Sequence, residues 1–179
     1  MRLGIYDQGM ANEIFEAVRT VMAVREYEDK EVPPDLMRRI AEAAHLSASG
    51  GNGQPWHFIV VRDTASLQKL GTLVRTGPYI RNAAAAIIVA YEKAKGQYGM
   101  SDTSRAIQSM LLTAWGEGVG SNWTGFGGLD NVRAEYGLPE TYDVLAVLPF
   151  GYPKHRVIGK KKRKPFDDVV SSERFGNKL

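Results

Sequence analysis

The sequence predicts a domain of mixed helix and sheet, α/β or α+β. Two observations carry this. Apolar residues recur at spacings of three and four in several segments, the period of a half-buried helix. Between them stand three short, continuous apolar runs, at 57–61, 86–91 and 144–150, which read as strands covered on both faces. The 179 residues suit one domain spanning 1–179. With 44% hydrophobic and 24% charged residues, the composition is that of a globular chain rather than a disordered one.

Each element can be justified in order. Residues 13–23 read as an amphipathic helix, with Asn12 as its N-cap and Ile14, Phe15, Val18, Val21 and Met22 on one face. Residues 1–11 are expected to form a poorly ordered leader, and a second Met stands at position 10. Arg25-Glu26-Tyr27 leaves the helix as an extended piece. Pro33 and Pro34 open a second helix with Leu36, Ile40 and Ala44 inward. Proline is tolerated there because a first-turn N–H has no helical partner. Residues 47–55 are a loop by composition. The strand at 57–61 is nearly all apolar and is expected to be central. Asp63 caps a third helix with Leu67, Leu70 and Val74 inward. After the strand at 86–91, residues 92–101 read as a polar loop with Gly96 and Gly99. A long helix then runs from Asp102 to about Gly118, with Ala106, Met110, Leu111 and Ala114 inward. A Gly-rich stretch at 121–128 and a short helix at about 131–136 precede the strand at 144–150. Gly151-Tyr152-Pro153 turns that strand into a C-terminal extension, 154–179, whose residues 167–175 form a last short helix or extended piece.

Charge narrows the partners. The net charge is +3, but Lys160, Lys161, Lys162, Arg163 and Lys164 alone contribute +5. Without them 18 cations face 20 anions, a net of −2. A near-neutral body with one cationic knot is not a nucleic-acid coat, which needs a spread basic face. The knot reads as a solvated tail, a nuclear or nucleic-acid address, or a local anion site. The longest apolar run, 83–91, is nine residues against the roughly 20 that a membrane span needs. The N-terminus has no apolar core of a secretory signal. No partnership with nucleic acid or membrane is expected, and the location is read as cytoplasmic. There is no cysteine, which excludes disulfides, thiol catalysis and thiolate metal sites, and His45, His57 and His155 lack metal-ligand spacing. Any redox group must therefore be borrowed.

The common catalytic motifs are absent: no nucleophile elbow, no His-Glu-x-x-His, no phosphate loop. The sharpest feature is Ser49-Gly50-Gly51-Asn52-Gly53-Gln54-Pro55-Trp56. Its glycines allow close approach, and its two amides both donate and accept, which suits a planar heterocycle with N–H and C=O edges. Taken alone, it reads more simply as an Asn-Gly surface turn with a Trp behind it.

In context the whole chain resembles the FMN-dependent nitroreductase family. Glu16-Ala17-Val18-Arg19-Thr20 and Ala23-Val24-Arg25-Glu26-Tyr27 are similar to its opening helix and arginine motif. Residues 49–58 resemble its Ser-x-x-Asn-x-Gln-Pro-Trp-x-Phe signature. Gly118-Val119-Gly120-Ser121 with Trp123 and Gly125 resembles its flavin-edge segment, and 148–153 its Leu-x-x-Gly-Tyr-Pro ending. Arg163-Lys164-Pro165 and Glu173-Arg174-Phe175-Gly176 match its tail. Five motifs in order are a strong signal.

The resemblance implies an α+β fold with a central, mostly antiparallel sheet flanked by helices, in an intertwined homodimer with FMN at the subunit interface. It implies an enzyme that takes hydride from NADH or NADPH onto the flavin. The electrons then pass, by a ping-pong scheme, to a small-molecule acceptor such as a nitroaromatic or quinone. No protein acid or base is then needed, because the cofactor carries the chemistry. Carried over residue by residue, Arg25 offers a cation to the flavin. Ser49 and Asn52 contact it from the partner subunit, with Gln54 bracing that loop. Thr124 and Gly125 turn backbone N–H groups to the ring edge, and Arg163 binds the phosphate while its neighbours in the run are solvated. Tyr79, Arg81, Tyr98 and Met100 are candidates for shaping the acceptor pocket.

The chain also departs from the family. Val21, Met22 and Ala23 stand where an arginine pair and a serine are usual, and Ala48 replaces a common proline. The phosphate must then lean on Arg25, Arg163 and either Arg19 or a neighbouring lysine. The alternative reading is a protein of the same fold that binds a flavin or deazaflavin without NAD(P)H turnover.

Overall fold

A computed structural model of the chain describes residues 8–125, 129–155, 157, 159 and 161–179. Residues 1–7 of the expected leader, 126–128 of the Gly-rich stretch, and Lys160 of the basic run lie outside the described residues.

The helices are α1 (Gln8–Thr20), α2 (Pro34–His45), α3 (Thr64–Leu73), α4 (Gly96–Gly116) and α5 (Asp130–Glu135). The strands are β1 (Trp56–Val61), β2 (Ala85–Glu92), β3 (Gly120–Ser121) and β4 (Tyr142–Gly151). They form one antiparallel sheet in the order β1-β2-β4-β3. The α+β expectation holds.

The centre of the sheet is β2 and β4, where every residue from Ala85 to Ala90 and from Val144 to Phe150 is buried. Helices cover both faces. One core gathers Ile87, Val89, Leu145 and Leu148 with Ile40 of α2 and Ile107 and Met110 of α4. The other gathers Ala86, Ile88 and Val147 with Leu67 and Leu70 of α3 and Val132 of α5. Consecutive residues of β2 thus alternate between two cores, which is why its run is apolar throughout.

Three expectations are corrected. First, β1 is an edge strand, not a central one: His57 is exposed and Val60 is 42% exposed. Its apolar run does not mark full burial. Second, α1 begins at Gln8, four residues before the expected cap Asn12. Third, α4 begins at Gly96 rather than Asp102. The two glycines that argued for a loop lie in its first turns.

Other local readings hold. Asp63 caps α3 through a 2.8 Å hydrogen bond from the Ser66 backbone N–H. Pro33 and Pro34 stand at the N-terminus of α2. The piece expected at 167–175 differs: it is helical for a single turn only, Phe166–Asp168.

The extended segment after α1 runs over the edge formed by β3 and β4. Ala23 bridges Ser121 and Tyr27 bridges Pro153. Both crossings depend on glycine: a Cβ on Gly120 would meet Val24 at 2.5 Å, and one on Gly151 would meet Tyr27 at 2.8 Å. The Gly-Tyr-Pro turn thus docks the segment that carries Arg25.

Candidate functional site

The structure separates the predicted site residues into two groups, divided by α4. The first is the loop before β1. Ser49 Oγ accepts from the Gln54 N–H at 3.0 Å, and Gln54 Nε2 donates to the Asn52 carbonyl at 3.3 Å. Gly51, Asn52 and Gln54 all have left-handed backbones, with φ of 55°, 55° and 43°. Two non-glycine residues in that region are a local cost, of the kind that collects at functional loops.

Asp102, which sequence reasoning missed, holds this loop. Its buried carboxylate accepts from the Gly50 N–H at 3.0 Å and pairs with Arg105. The sequence reading placed it only at the start of the long helix, and nothing there marked its long-range contact with Gly50.

The second group surrounds a cleft of about 370 Å³ between the end of α1, the C-terminal half of α4, β3 and the tail. Val21, Leu111 and Trp115 supply apolar walls, and Gln108, Ser121 and Asn122 supply polar ones. Lys161 and Arg163 both reach it. Trp115 is pinned by a 2.9 Å hydrogen bond from its indole N–H to Thr20. Lys161, read from sequence as solvated, is instead half-buried, and its ammonium donates to the Val18 carbonyl at 2.5 Å. Partial burial and the nearby Arg163 charge both push its pKa down. Arg163 donates to the Lys162 carbonyl at 2.9 Å. Arg19 does not enter the cleft; its guanidinium is engaged by Glu16 one turn earlier.

Arg25 opens on an adjoining cleft of about 380 Å³ that shares Ala23 with the first. Its guanidinium lies 5.9 Å from the centre of the Tyr79 ring. Tyr79 continues inward: its hydroxyl is 2.9 Å from Thr124 Oγ1 and accepts from Asn122 Nδ2 at 2.5 Å. Tyr79, a candidate for shaping the acceptor pocket, forms a part-buried polar triangle here with Asn122 and Thr124. Beside it, burial pushes the Tyr27 phenol well up, the Arg25 charge acting the other way.

Thr124 departs from expectation. Its N–H donates to the Val147 carbonyl at 3.2 Å and its carbonyl accepts from the Val147 N–H at 2.9 Å. The N–H expected to face a ring edge is spent inside the sheet, because the segment after β3 continues along β4. Gly125 follows with φ of 75°, and its carbonyl accepts from the Trp123 indole at 2.8 Å.

Helix geometry sets the distance between the groups. At about 100° per residue, Gln108, Leu111 and Trp115 lie roughly opposite Asp102 around α4. At about 1.5 Å per residue, Trp115 is ~20 Å further along it. Within one chain, Ser49, Asn52 and Gln54 are not brought to Arg163.

Elsewhere, a groove of about 540 Å³ is lined by charges of both signs, among them Glu28, Lys30, Arg62 and Arg81. It contains none of the loop or cleft residues. Tyr98, 85% exposed, lies beside the Gly50–Asn52 turn and not with Arg81. Among the described residues there is no cluster of metal ligands, and no helix is long and apolar enough to cross a membrane.

A helix-flanked antiparallel sheet, a strained Ser-x-x-Asn-x-Gln loop and a cationic cleft at the tail define a class, and comparison with known proteins agrees. Residues 18–78 and 74–152 match the Nitroreductase family. A protein of Methanothermobacter thermautotrophicus with the provisional name NADH dehydrogenase/NAD(P)H nitroreductase is 36% identical over 149 residues, covering 79% of this chain and 78% of its own. One of Archaeoglobus fulgidus with the same provisional name is 35% identical over 150 residues, covering 79% and 86%. The structure of an FMN-dependent nitroreductase from Clostridium difficile R20291 superposes with a TM-score of 0.83 at 26% identity, covering 90% of this chain and 99% of that one. The chain belongs to the nitroreductase family and is an oxidoreductase of that class.

Proposed function

We propose that this protein binds FMN and uses it to pass electrons from NADH or NADPH to a small acceptor, a nitroaromatic, quinone or similar compound, by a ping-pong scheme in the cytoplasm. The flavin, when bound, supplies the hydride-accepting and electron-donating chemistry. The chain's residues supply position and charge.

One observation carries this reading. The cleft holds two cations, the Gln108 amide and an indole wall, with no carboxylate among the described residues that line it. That donor set fits a flat, amide-edged heterocycle with a phosphate tail. The relatives' names supply the rest: FMN for one neighbour and NAD(P)H for the archaeal proteins. Within the reading, Arg163 takes the phosphate, Arg25 adds charge from the adjoining cleft, and Gly125 stands at the ring edge. Thr124 braces Tyr79.

The loop residues Ser49, Asn52 and Gln54 complete the site from a second copy, as a homodimer. Three features support this. The loop lies across α4 from the cleft. The α1 face of Ile14, Phe15 and Val18 is exposed at 58%, 64% and 44%. The tail exposes Phe166, Val169, Phe175 and Leu179. Apolar surface of this extent marks an interaction site.

The test is optical. Purified protein titrated with FMN is expected to turn yellow and to bleach with NADH or NADPH under anaerobic conditions, the colour returning on addition of a quinone. A protein that takes up no FMN refutes the reading. One that takes it up but never bleaches is a flavin-binding protein without turnover.

A further inference from the structure

We propose that the groove of about 540 Å³ between the segment after α1, the start of α3 and the turn before β2 binds a basic α-amino acid. Its carboxylate is held by Arg81 and its two cationic groups by Glu28 and Asp29. The groove shares no residue with the clefts of the flavin reading and does not depend on that reading.

The charges of the groove sort themselves. Three acids, Glu28, Asp29 and Glu31, and three bases, Lys30, Arg62 and Arg81, line it. Glu31 is paired with Arg62, which also donates to the Val32 carbonyl at 3.0 Å. The Lys30 ammonium is turned onto the Tyr152 ring, 3.9 Å from its centre, a cation–π contact. Arg81 is left on one wall, and Glu28 and Asp29 on another. Among the described residues none of these three is in an ion pair. Opposite charges that line one groove, yet stand too far apart to pair, are matched together by a ligand that carries both signs. One cation and two anions remain, a net of −1. Their complement is one carboxylate and two cations, a net of +1. That is the charge pattern of lysine, ornithine or arginine, not of a neutral or acidic amino acid.

Both walls are fixed before a ligand arrives. The Glu28 N–H donates to the Tyr152 carbonyl at 2.8 Å, which holds the segment of the two acids against the end of β4. The Arg81 carbonyl accepts from Gln68 Nε2 at 3.0 Å. A Cβ on Gly71 would lie 3.1 Å from the Arg81 nitrogen, so α3 and the turn that carries Arg81 meet closely. Fixed walls lower the ordering cost of binding. Leu67 and Ala83 are buried and apolar, a floor for the methylene groups of the ligand. The volume falls in the range of about 300–1,000 Å³ common for small-molecule sites.

The experiment titrates the full chain with L-lysine at constant ionic strength and follows backbone amide shifts. Saturable shifts are expected at residues 27–31 and 81–84. L-Alanine, which lacks the second cation, is expected to bind about fivefold more weakly, and L-glutamate more weakly still. Arg81→Gln is expected to weaken L-lysine about fivefold or more, the loss of a carboxylate contact. Glu28→Gln together with Asp29→Asn is expected to abolish the preference for L-lysine over L-alanine. All three positions are exposed, so the variants are expected to keep the fold, which the unchanged amide shifts of β2 and β4 check. Absence of a saturable shift with L-lysine would overturn the proposal. So would equal binding of L-lysine and L-glutamate, or an affinity that neither variant changes. A chain that takes up no FMN but gives this titration overturns the flavin reading and leaves the amino-acid site standing.

Discussion

Helices α1 and α2 carry the same apolar periodicity and meet opposite fates. In α2, Met37, Ile40 and Ala44 are buried against α4 and the sheet. In α1, Ile14, Phe15 and Val18 stand in the open, and the helix touches its own chain mainly through Trp115 and the Lys161 tail. A three-and-four pattern says that a face must leave water; it does not say which molecule covers it. In this chain one such face builds the core and the other stays exposed, the face that the proposed homodimer would cover.

The comparison can be broken from either side. The largest effect is expected from Ile40→Ala, fully buried in α2. Loss of packing should cost about 2–5 kcal/mol, read as a lower urea midpoint. Phe15→Glu in α1 should leave the folded chain nearly as stable, since exposed positions rarely change stability by more than about 0.5 kcal/mol. It should raise the dimer dissociation constant about 30-fold or more, the scale of an interface anchor, as measured by light scattering at dilution. An unchanged oligomer would show that α1 faces water by design.

Asp102→Ala tests the element between the two groups. It leaves the Gly50 N–H without its acceptor and Arg105 without its partner. A loss of about 1–3 kcal/mol is expected, with faster amide exchange confined to residues 49–54. The smallest effect concerns Asp63. The Ser66 N–H holds its carboxyl below the usual value. Its stabilisation is therefore present above the unfolded pKa of about 3.9 and is lost as pH falls through the lower folded value. Asp63→Ala should lower the melting temperature slightly at pH 7, and the gap from wild type should close below about pH 4.

What could be read in advance was local. The Asp63 cap, the paired prolines before α2 and the three apolar strand runs are all short-range signals, decided by neighbouring residues. The Ser-x-x-Asn-x-Gln loop and Arg163 were visible as motifs. The edge position of β1, the start of α4 at Gly96 and the use of the Thr124 N–H were not. Each depends on which strand or helix arrives from elsewhere. Lys161 shows this best: in a run of five cations nothing distinguishes one from the next, and only the approach of the tail to Val18 singles it out.

By itself, then, the amino-acid sequence determined the class of the protein: a helix-and-sheet chain without thiols or metal ligands, bearing the ordered motifs of a flavin-dependent family. Short-range pattern and side-chain chemistry suffice for that. The tertiary structure decided how the site is divided. By setting α4 between loop and cleft, it kept Ser49, Asn52 and Gln54 away from Arg163 within one chain. By laying the tail along α1, it brought Lys161 and Arg163 to the cleft that Val21 and Ala23 also line. Both outcomes arise from contacts between residues far apart in the chain, which no local pattern encodes.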